Sequence, residues 1–498
     1  MGDTGRRFDW LSWAVGIALG LGFVAWGAAW VGNFIEDDTL ITLRYAYRLL
    51  EGNGLTWNDG ERVEGYSNLA WLLASAGLGA LGIDLVLAAR ILAFACWGVT
   101  FGALAMLARR ARTTWLGFAA SAVALGATAS LPVWAMGALE QPLVVASLAV
   151  ALWAQVELVY SAESPGKSFS TWAVVEACAL ALLVLTRPDG PLFVAVLAVS
   201  TLLLVRRRAG SRAALLASGL VAGIPLLVWL AHLGFRLAYY GDWLPNTAYV
   251  KARTSQARVL EGLGYVGRGF WTGWLLTWSG AVGAVLALSR RKTRGLAIAV
   301  LALLATWVGY VVAIGGDHFP AFRHMLPAQL CMAVLLALGL GAWSDATGRW
   351  RWVPAGVVVA IGVLAIPYVF SQRTFSDINV AKRSRWQWDG QALGITFGRA
   401  FADEAPLWAV TAAGCLPYFS RLPALDLLGL NDAHIARQEP DPTYQLGHRH
   451  GDGAYVLGRA PDLITFRQPR GGKPYFKSGL EMAQDPRFDR EYQRIRFQ

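Results

Sequence analysis

Apolar runs of about 20 residues recur along the chain, separated by short segments that carry charge, Gly and Pro. A run of that length is what an α-helix needs to cross the hydrocarbon core of a bilayer. The pattern predicts eleven spans, at 10–32, 88–108, 114–133, 141–160, 172–186, 190–205, 213–238, 270–289, 295–314, 324–343 and 352–370. Residues 68–108 hold an ambiguity, being nearly all apolar with one break near Gly82–Asp84. Read as two spans, they would place Arg109, Arg110 and Arg112 outside. Read as one span preceded by a helix lying at the outer surface (68–82), they keep that cluster inside, and the positive-inside rule selects this reading.

With that choice every inner loop keeps its sign. The inner segments carry Arg6, Arg7, Arg109, Arg110, Arg112, Lys167, Arg206, Arg207, Arg208, Arg212, Arg290, Arg291, Lys292, Arg294, Arg349 and Arg351, against the acids Asp3, Asp9, Glu163 and Asp345. The N-terminus is therefore expected in the cytoplasm, with 10–31 as a span rather than a cleaved leader. An odd number of spans delivers 371–498 to the outer side. The expected organisation is a membrane module, 1–370, with a first outer loop at 33–87, and an extracytoplasmic tail domain, 371–498. The tail holds 17 bases and 14 acids and no spanning run. Its short apolar stretches predict a helix at 387–402 and strands at 407–410, 424–428, 455–457 and 463–466, a small α/β unit. The fold class is thus an all-α polytopic membrane protein with a small α/β appendage.

Composition supports this. Of 498 residues, 55% are hydrophobic and 15% charged, against roughly 25% charged in a typical soluble domain. That excludes a wholly soluble globule, a disordered chain and a disulfide scaffold. The net charge of +11 would suggest nucleic acid in a soluble protein; here the inner loops account for it. Three of the four cysteines, Cys96, Cys178 and Cys331, lie in apolar runs, and Cys415 stands alone.

Four polar clusters fall on the predicted outer face: Glu36-Asp37-Asp38 followed by Arg44 and Arg48; Arg187-Pro188-Asp189-Gly190; the loop 239–268 with Asp242, Pro245, Asn246, Tyr249, Lys251, Arg253, Arg258 and Arg268; and Gly315-Gly316-Asp317-His318-Phe319-Pro320 with Arg323 and His324. A carboxylate at a membrane surface can deprotonate an incoming hydroxyl. Arginine and lysine at the same depth can hold a lipid phosphate and stabilise the charge of a leaving group. Each cluster also has a plainer reading. Acids after a first span are ordinary flanking residues, Arg-Pro-Asp-Gly makes a tight turn, and a lone outer-loop cation is usually solvated. Adjacent helical residues point about 100° apart, so Asp37 and Asp38 cannot both face one atom. There is no Asp-x-Asp metal clamp, no Walker A loop and no His-Glu-x-x-His; His448-Arg449-His450 with Asp452 reads as a surface turn rather than a zinc site. Charges in mid-span are sparse, which argues against an ion or proton transporter.

The stretch Glu36-Asp37-Asp38-Thr39-Leu40-Ile41-Thr42-Leu43-Arg44-Tyr45-Ala46, then Glu51-Gly52-Asn53-Gly54 and Gly60-Glu61-Arg62-Val63-Glu64-Gly65-Tyr66-Ser67-Asn68, resembles the first outer loop of the GT-C glycosyltransferases. Leu244-Pro245-Asn246-Thr247 with Lys251, Gly315-Gly316-Asp317-His318-Phe319 with Arg323, and Asp426-Leu427-Leu428-Gly429-Leu430-Asn431-Asp432 with Gly447-His448 are similar to the subgroup of the mycobacterial terminal β-1,2-arabinofuranosyltransferases and the ZomB-like flagellar motor control proteins. The resemblance implies a bacterial inner-membrane enzyme that moves a sugar, arabinofuranose or another pentose or hexose, from a polyprenyl-phosphate donor to an envelope glycan, glycolipid or protein. It also implies an inverting reaction with no metal or other cofactor and a catalytic acid in the first outer loop. On this pattern Asp37 is favoured as the base with Asp38 in support. Arg187, Lys251 and Arg323 are the expected phosphate contacts, with Arg44, Arg253, Asp317, His318 and His324 as further donor-side candidates. The alternatives are a transporter or flippase of lipid-linked sugars, and a non-catalytic envelope or flagellar assembly factor.

Overall fold

The computed structural model describes residues 10–163, 167–251, 256–344, 352–444 and 447–496; of Lys167 and Lys251 only the backbone is described. Arg6, Arg7, Arg349 and Arg351, together with Asp3, Asp9, Asp345 and the candidate Arg253, lie outside these residues.

Among the described residues fifteen α-helices make up the membrane module: α1 (Trp10–Val31), α2 (Asp37–Leu50), α3 (Leu69–Gly79), α4 (Leu85–Arg110), α5 (Trp115–Gly126), α6 (Ser130–Gly137), α7 (Gln141–Ser161), α8 (Lys167–Thr186), α9 (Gly190–Tyr240), α10 (Asn246–Lys251), α11 (Gln256–Thr272), α12 (Trp274–Ser289), α13 (Arg291–Ala313), α14 (Leu326–Ala342) and α15 (Trp352–Gln372). Eight helices among the described residues are long and apolar enough to cross a membrane. Two bent pairs, α5 with α6 at 59° and α11 with α12 at 89°, bring the number to ten. The 51-residue α9 breaks at Gly210, whose φ of +80° only glycine adopts without strain, so its length accommodates two passes and the total can reach the eleven expected. The ambiguous segment divides into a short helix, α3, and one long enough to span, α4. α3 is too short to span, and Asp84 caps α4 by accepting from the Leu87 N–H at 3.0 Å. The predicted loop 239–268 is instead largely helical, holding α10 and most of the amphipathic α11.

Glycine lets the core helices approach closely, the usual route to packing where lipid removes the hydrophobic drive. A Cβ on Gly283 of α12 would lie 2.4 Å from the Leu336 Cα of α14, and one on Gly339 would lie 2.3 Å from the Gly283 carbonyl. The buried acid Glu176 is fixed between helices by Thr201 (3.2 Å) and Gln155 (3.3 Å) rather than standing in an open path.

The tail carries α16 (Ser376–Arg383), α17 (Trp386–Ala400), β1 (Trp408–Val410), α18 (Cys415–Ser420), β2 (Ala424–Asp426), α19 (Ala433–Ala436), α20 (Gly453–Gly458), β3 (Leu463–Thr465), α21 (Phe476–Gln484) and α22 (Pro486–Glu491). Its three strands form a parallel sheet in the order β2-β1-β3, with helical crossovers. The strand expected at 455–457 is helix α20. Asp452 accepts from the Tyr455 N–H at 2.9 Å, and that cap outweighs the β-propensity of Tyr-Val-Leu.

The tail is locked onto the membrane module through its own backbone. Arg44 donates to the carbonyls of Pro417 and Leu422, Asn58 to that of Ala424, and Asn246 Nδ2 to those of Gly429, Leu430 and Asp432. Arg459 adds an ion pair with Glu61 at 2.8 Å.

Candidate active site

Glu36 sits extended ahead of α2 and accepts from the Asp37 N–H at 3.1 Å, so the helix opens on two consecutive acids. Their side chains diverge as helical geometry requires. Asp37 turns to the tail, where the Gly414 N–H donates to one carboxylate oxygen at 3.0 Å and the Cys415 N–H to the other at 2.8 Å. Residue 414 has to be glycine for this approach, since a Cβ there would lie 2.0 Å from the Asp37 carbonyl oxygen. Asp38 lines two adjoining cavities, one of about 320 Å³ and one of about 260 Å³.

The larger cavity gathers Arg187, Asp189, Arg258, Asp317, Arg323 and His324 from three separate segments, together with Thr247 and Ala248 of α10. A polar chain forms its wall. Thr42 Oγ1 donates to Asn68 Oδ1 (3.2 Å), Asn68 Nδ2 to Glu140 (2.9 Å), and Arg187 Nη1 to Glu140 (2.9 Å). Arg187 also grips Asp189 with two parallel bonds, at 2.9 and 2.7 Å, and the Tyr310 hydroxyl donates to the same carboxylate at 3.2 Å. Opposite, Asp317 pairs with Arg323 and lies 3.5 Å from His324 Nε2 and 3.6 Å from His318 Nδ1. The Arg323 guanidinium stacks over Phe319 at 4.1 Å. Ala321 and Phe322 hold φ of +54° and +52°, a left-handed strain of about 1–3 kcal/mol each, in the turn that brings Arg323 and His324 to the cavity.

Burial and charge set the ionisation of these acids. Burial pushes the Glu36 carboxyl up to about 8, reinforced by the charge of Asp38. Burial also raises Asp37, against the pull of the Cys415 and Gly414 N–H groups. Burial alone would raise Asp189 and Asp317 too, but the Arg187 guanidinium lowers the first, and Arg323 with the two histidines lowers the second.

The smaller cavity is lined by Glu36, Asp37 and Asp38 on one side and by tail residues on the other, among them Trp386, Gln387, Thr411 and His448. His318 and Leu430 line both cavities.

Of the residues singled out from the sequence, Asp38, Arg187, Asp317, His318, Arg323 and His324 meet around one hollow, and Asp37 stands at its second chamber. The structure separates the two acids expected to act as base and support. Both Asp37 oxygens accept from tail amides, while Asp38 is the acid common to the two cavities. The donor-side placement of Arg44 is corrected. This residue is 2% exposed, its guanidinium is used on Trp57, Pro417 and Leu422 carbonyls, and it lines neither cavity. Lys251 ends α10, whose Thr247 and Ala248 line the larger cavity, and its side chain lies outside the described atoms, as does the whole of Arg253. Sequence reasoning missed Glu140, a lone acid directly before Gln141-Pro142 in a predicted outer turn. It also missed Thr411 and Gly414, which carry no local signal.

A family model described as a domain of unknown function (DUF8728) matches residues 377–496. The chain is 27% identical over 436 residues to the terminal β-(1→2)-arabinofuranosyltransferase of Corynebacterium glutamicum, covering 79% of this chain and 60% of that protein. It is 31% identical over 255 residues to the Mycobacterium tuberculosis protein of the same name, covering 49% of this chain and 38% of that one. The chain thus spans about three-fifths of the length of the first of these relatives. Among solved structures it is similar to ArnT from Cupriavidus metallidurans bound to undecaprenyl phosphate (TM-score 0.57, 14% identity, 84% of this chain and 86% of that one). It is also similar to the Archaeoglobus fulgidus oligosaccharyltransferase (TM-score 0.56, 9% identity, 85% and 65%). At these identities the likeness establishes the fold.

Proposed function

We propose that this chain, which has the GT-C fold and resembles the terminal arabinofuranosyltransferases over most of its length, is an integral-membrane glycosyltransferase that uses a polyprenyl-phosphate sugar. One observation carries the reading: Asp38 stands where two cavities adjoin, and the larger of them collects three arginines. The reading sets the base and the leaving-group cations on opposite sides of the reacting carbon.

In this reading the lipid phosphate lies against Arg187, Arg258 and Arg323, with the anomeric carbon toward Asp38. Asp38 takes the proton of the acceptor hydroxyl as that oxygen bonds the anomeric carbon, and the bond to the phosphate breaks. Attack from the face opposite the leaving group inverts the anomeric centre. The charge that builds on the phosphate is met by guanidinium groups rather than by a metal ion. Arg187 and Arg323 are each pinned by a carboxylate, so their geometry is set before the donor arrives and little reorganisation is left to the reaction. Asp37 is a positioning residue that fixes the tail against the start of α2. The donor sugar is arabinofuranose or another pentose or hexose, and the protein works at the outer face of the bacterial inner membrane with its tail outside.

The test is transfer of labelled sugar from a polyprenyl phosphate, with the purified chain in proteoliposomes. Asp38→Asn is expected to lower transfer by about 10²–10⁴-fold, the usual contribution of a general base. Undiminished transfer by that variant would refute the assignment. Flux of lipid-linked sugar across liposomes lacking acceptor would favour the transporter instead.

A further inference from the structure

The smaller cavity differs in character from the larger one. Its lining includes Glu36, Asp37 and Asp38, and among the described residues no lysine or arginine. Its tail side is built at the carboxyl ends of the sheet. Thr411 and Ala413 follow β1, and Leu428 follows β2. In open parallel sheets ligands bind outside those ends, at the point where the strand order reverses, and in the order β2-β1-β3 that reversal falls beside β1. Thr411 is 5% exposed, and its hydroxyl is buried without a hydrogen-bond partner. A buried orphan hydroxyl costs about 1–3 kcal/mol, so its retention in a cavity wall points to a ligand that pairs with it. Trp386 supplies an aromatic surface in the same wall, and Gln387 and His448 supply polar groups.

Resting on the glycosyltransferase reading, we propose that this chamber is the acceptor site and that it takes the neutral, hydroxyl-rich end of a glycan. A sugar hydroxyl would pair with Thr411, a ring would lie against Trp386, and the attacking hydroxyl would face Asp38. An acidic lining with no lysine or arginine among its described residues offers an anion no counter-charge, which disfavours an acceptor that presents a phosphate or carboxylate. The chemistry balances: the acceptor oxygen bonds the anomeric carbon, the carbon–oxygen bond to phosphate breaks, its electron pair leaves with the polyprenyl phosphate, and the hydroxyl proton goes to Asp38. The tail domain is then half of the acceptor site rather than an accessory.

The experiment uses the full chain in detergent and measures binding of three soluble probes, a methyl arabinofuranosyl disaccharide, a methyl mannosyl disaccharide and a phosphorylated mannosyl disaccharide, with undecaprenyl phosphate as the donor-side probe. At least one neutral disaccharide is expected to bind, and the phosphorylated probe about tenfold more weakly or worse. Thr411→Val should weaken neutral-sugar binding about five- to tenfold, the loss of one hydrogen bond. The same variant should leave undecaprenyl phosphate binding unchanged and thermal stability unchanged or raised, because it removes an unpaired hydroxyl. Failure of both neutral sugars to bind, equal or tighter binding of the phosphorylated one, or an unaltered affinity in Thr411→Val would overturn the proposal. If undecaprenyl phosphate also fails to bind, the donor reading fails with it; if it binds, only the acceptor assignment falls.

Discussion

Replacing Asp37 by Asn separates an anchoring acid from a catalytic one. Each carboxylate oxygen accepts one tail N–H, from Gly414 at 3.0 Å and from Cys415 at 2.8 Å. An amide keeps one acceptor oxygen, but its NH₂ confronts the other N–H, donor against donor. The loss is one hydrogen bond to a charged group, about 1.5–3 kcal/mol, plus an unsatisfied buried N–H at about 1–3 kcal/mol. About 2.5–6 kcal/mol is then removed from local docking, a factor of about 10²–10⁴ in the opening equilibrium. The rest of the tail stays in place, because Arg44, Asn58 and Asn246 hold residues 417–432 independently. Amide hydrogen exchange on the full chain should therefore show faster exchange confined to 411–418, with transfer falling only as far as the site is disordered. Unchanged protection there, combined with abolished transfer, would show that Asp37 is the base and that Asp38 is not.

Three further outcomes follow from the site. Asp38→Asn should leave 411–418 protected and undecaprenyl phosphate bound while transfer is lost, which paired exchange and binding measurements check. Glu36 is raised to about 8 in the folded chain against an ordinary value of 4.5, so its contribution to stability is full below pH 4.5 and is lost as pH rises through about 8. Glu36→Gln should abolish that decline, and melting curves from pH 5 to 9 that run parallel for the two proteins would refute it. Asp317 is lowered by Arg323, so its contribution is present above pH 3.8 and lost as pH falls. Asp317→Asn leaves Arg323 buried without its counter-charge, and about 3–5 kcal/mol of destabilisation is expected in thermal or denaturant unfolding at neutral pH.

The sequence by itself determined the membrane class, the short helix α3 ahead of a single long one and the grouping of polar clusters, because apolar run length and loop charge are local quantities that a bilayer reads directly. It also determined three of the four predicted tail strands, although Asp452 capped the fourth into a helix. Only tertiary structure decided which of two adjacent acids lines both cavities. Helical geometry says that Asp37 and Asp38 diverge, but the direction of each depends on where residues 414 and 415, more than 370 positions away, return to α2. The same holds for Arg44, whose charge reads as a ligand contact along the chain and is used on tail carbonyls in the fold. Thr411 has no local pattern at all. Its place beside the acids arises because the end of β1 meets the start of α2, a contact set by packing the tail onto the module.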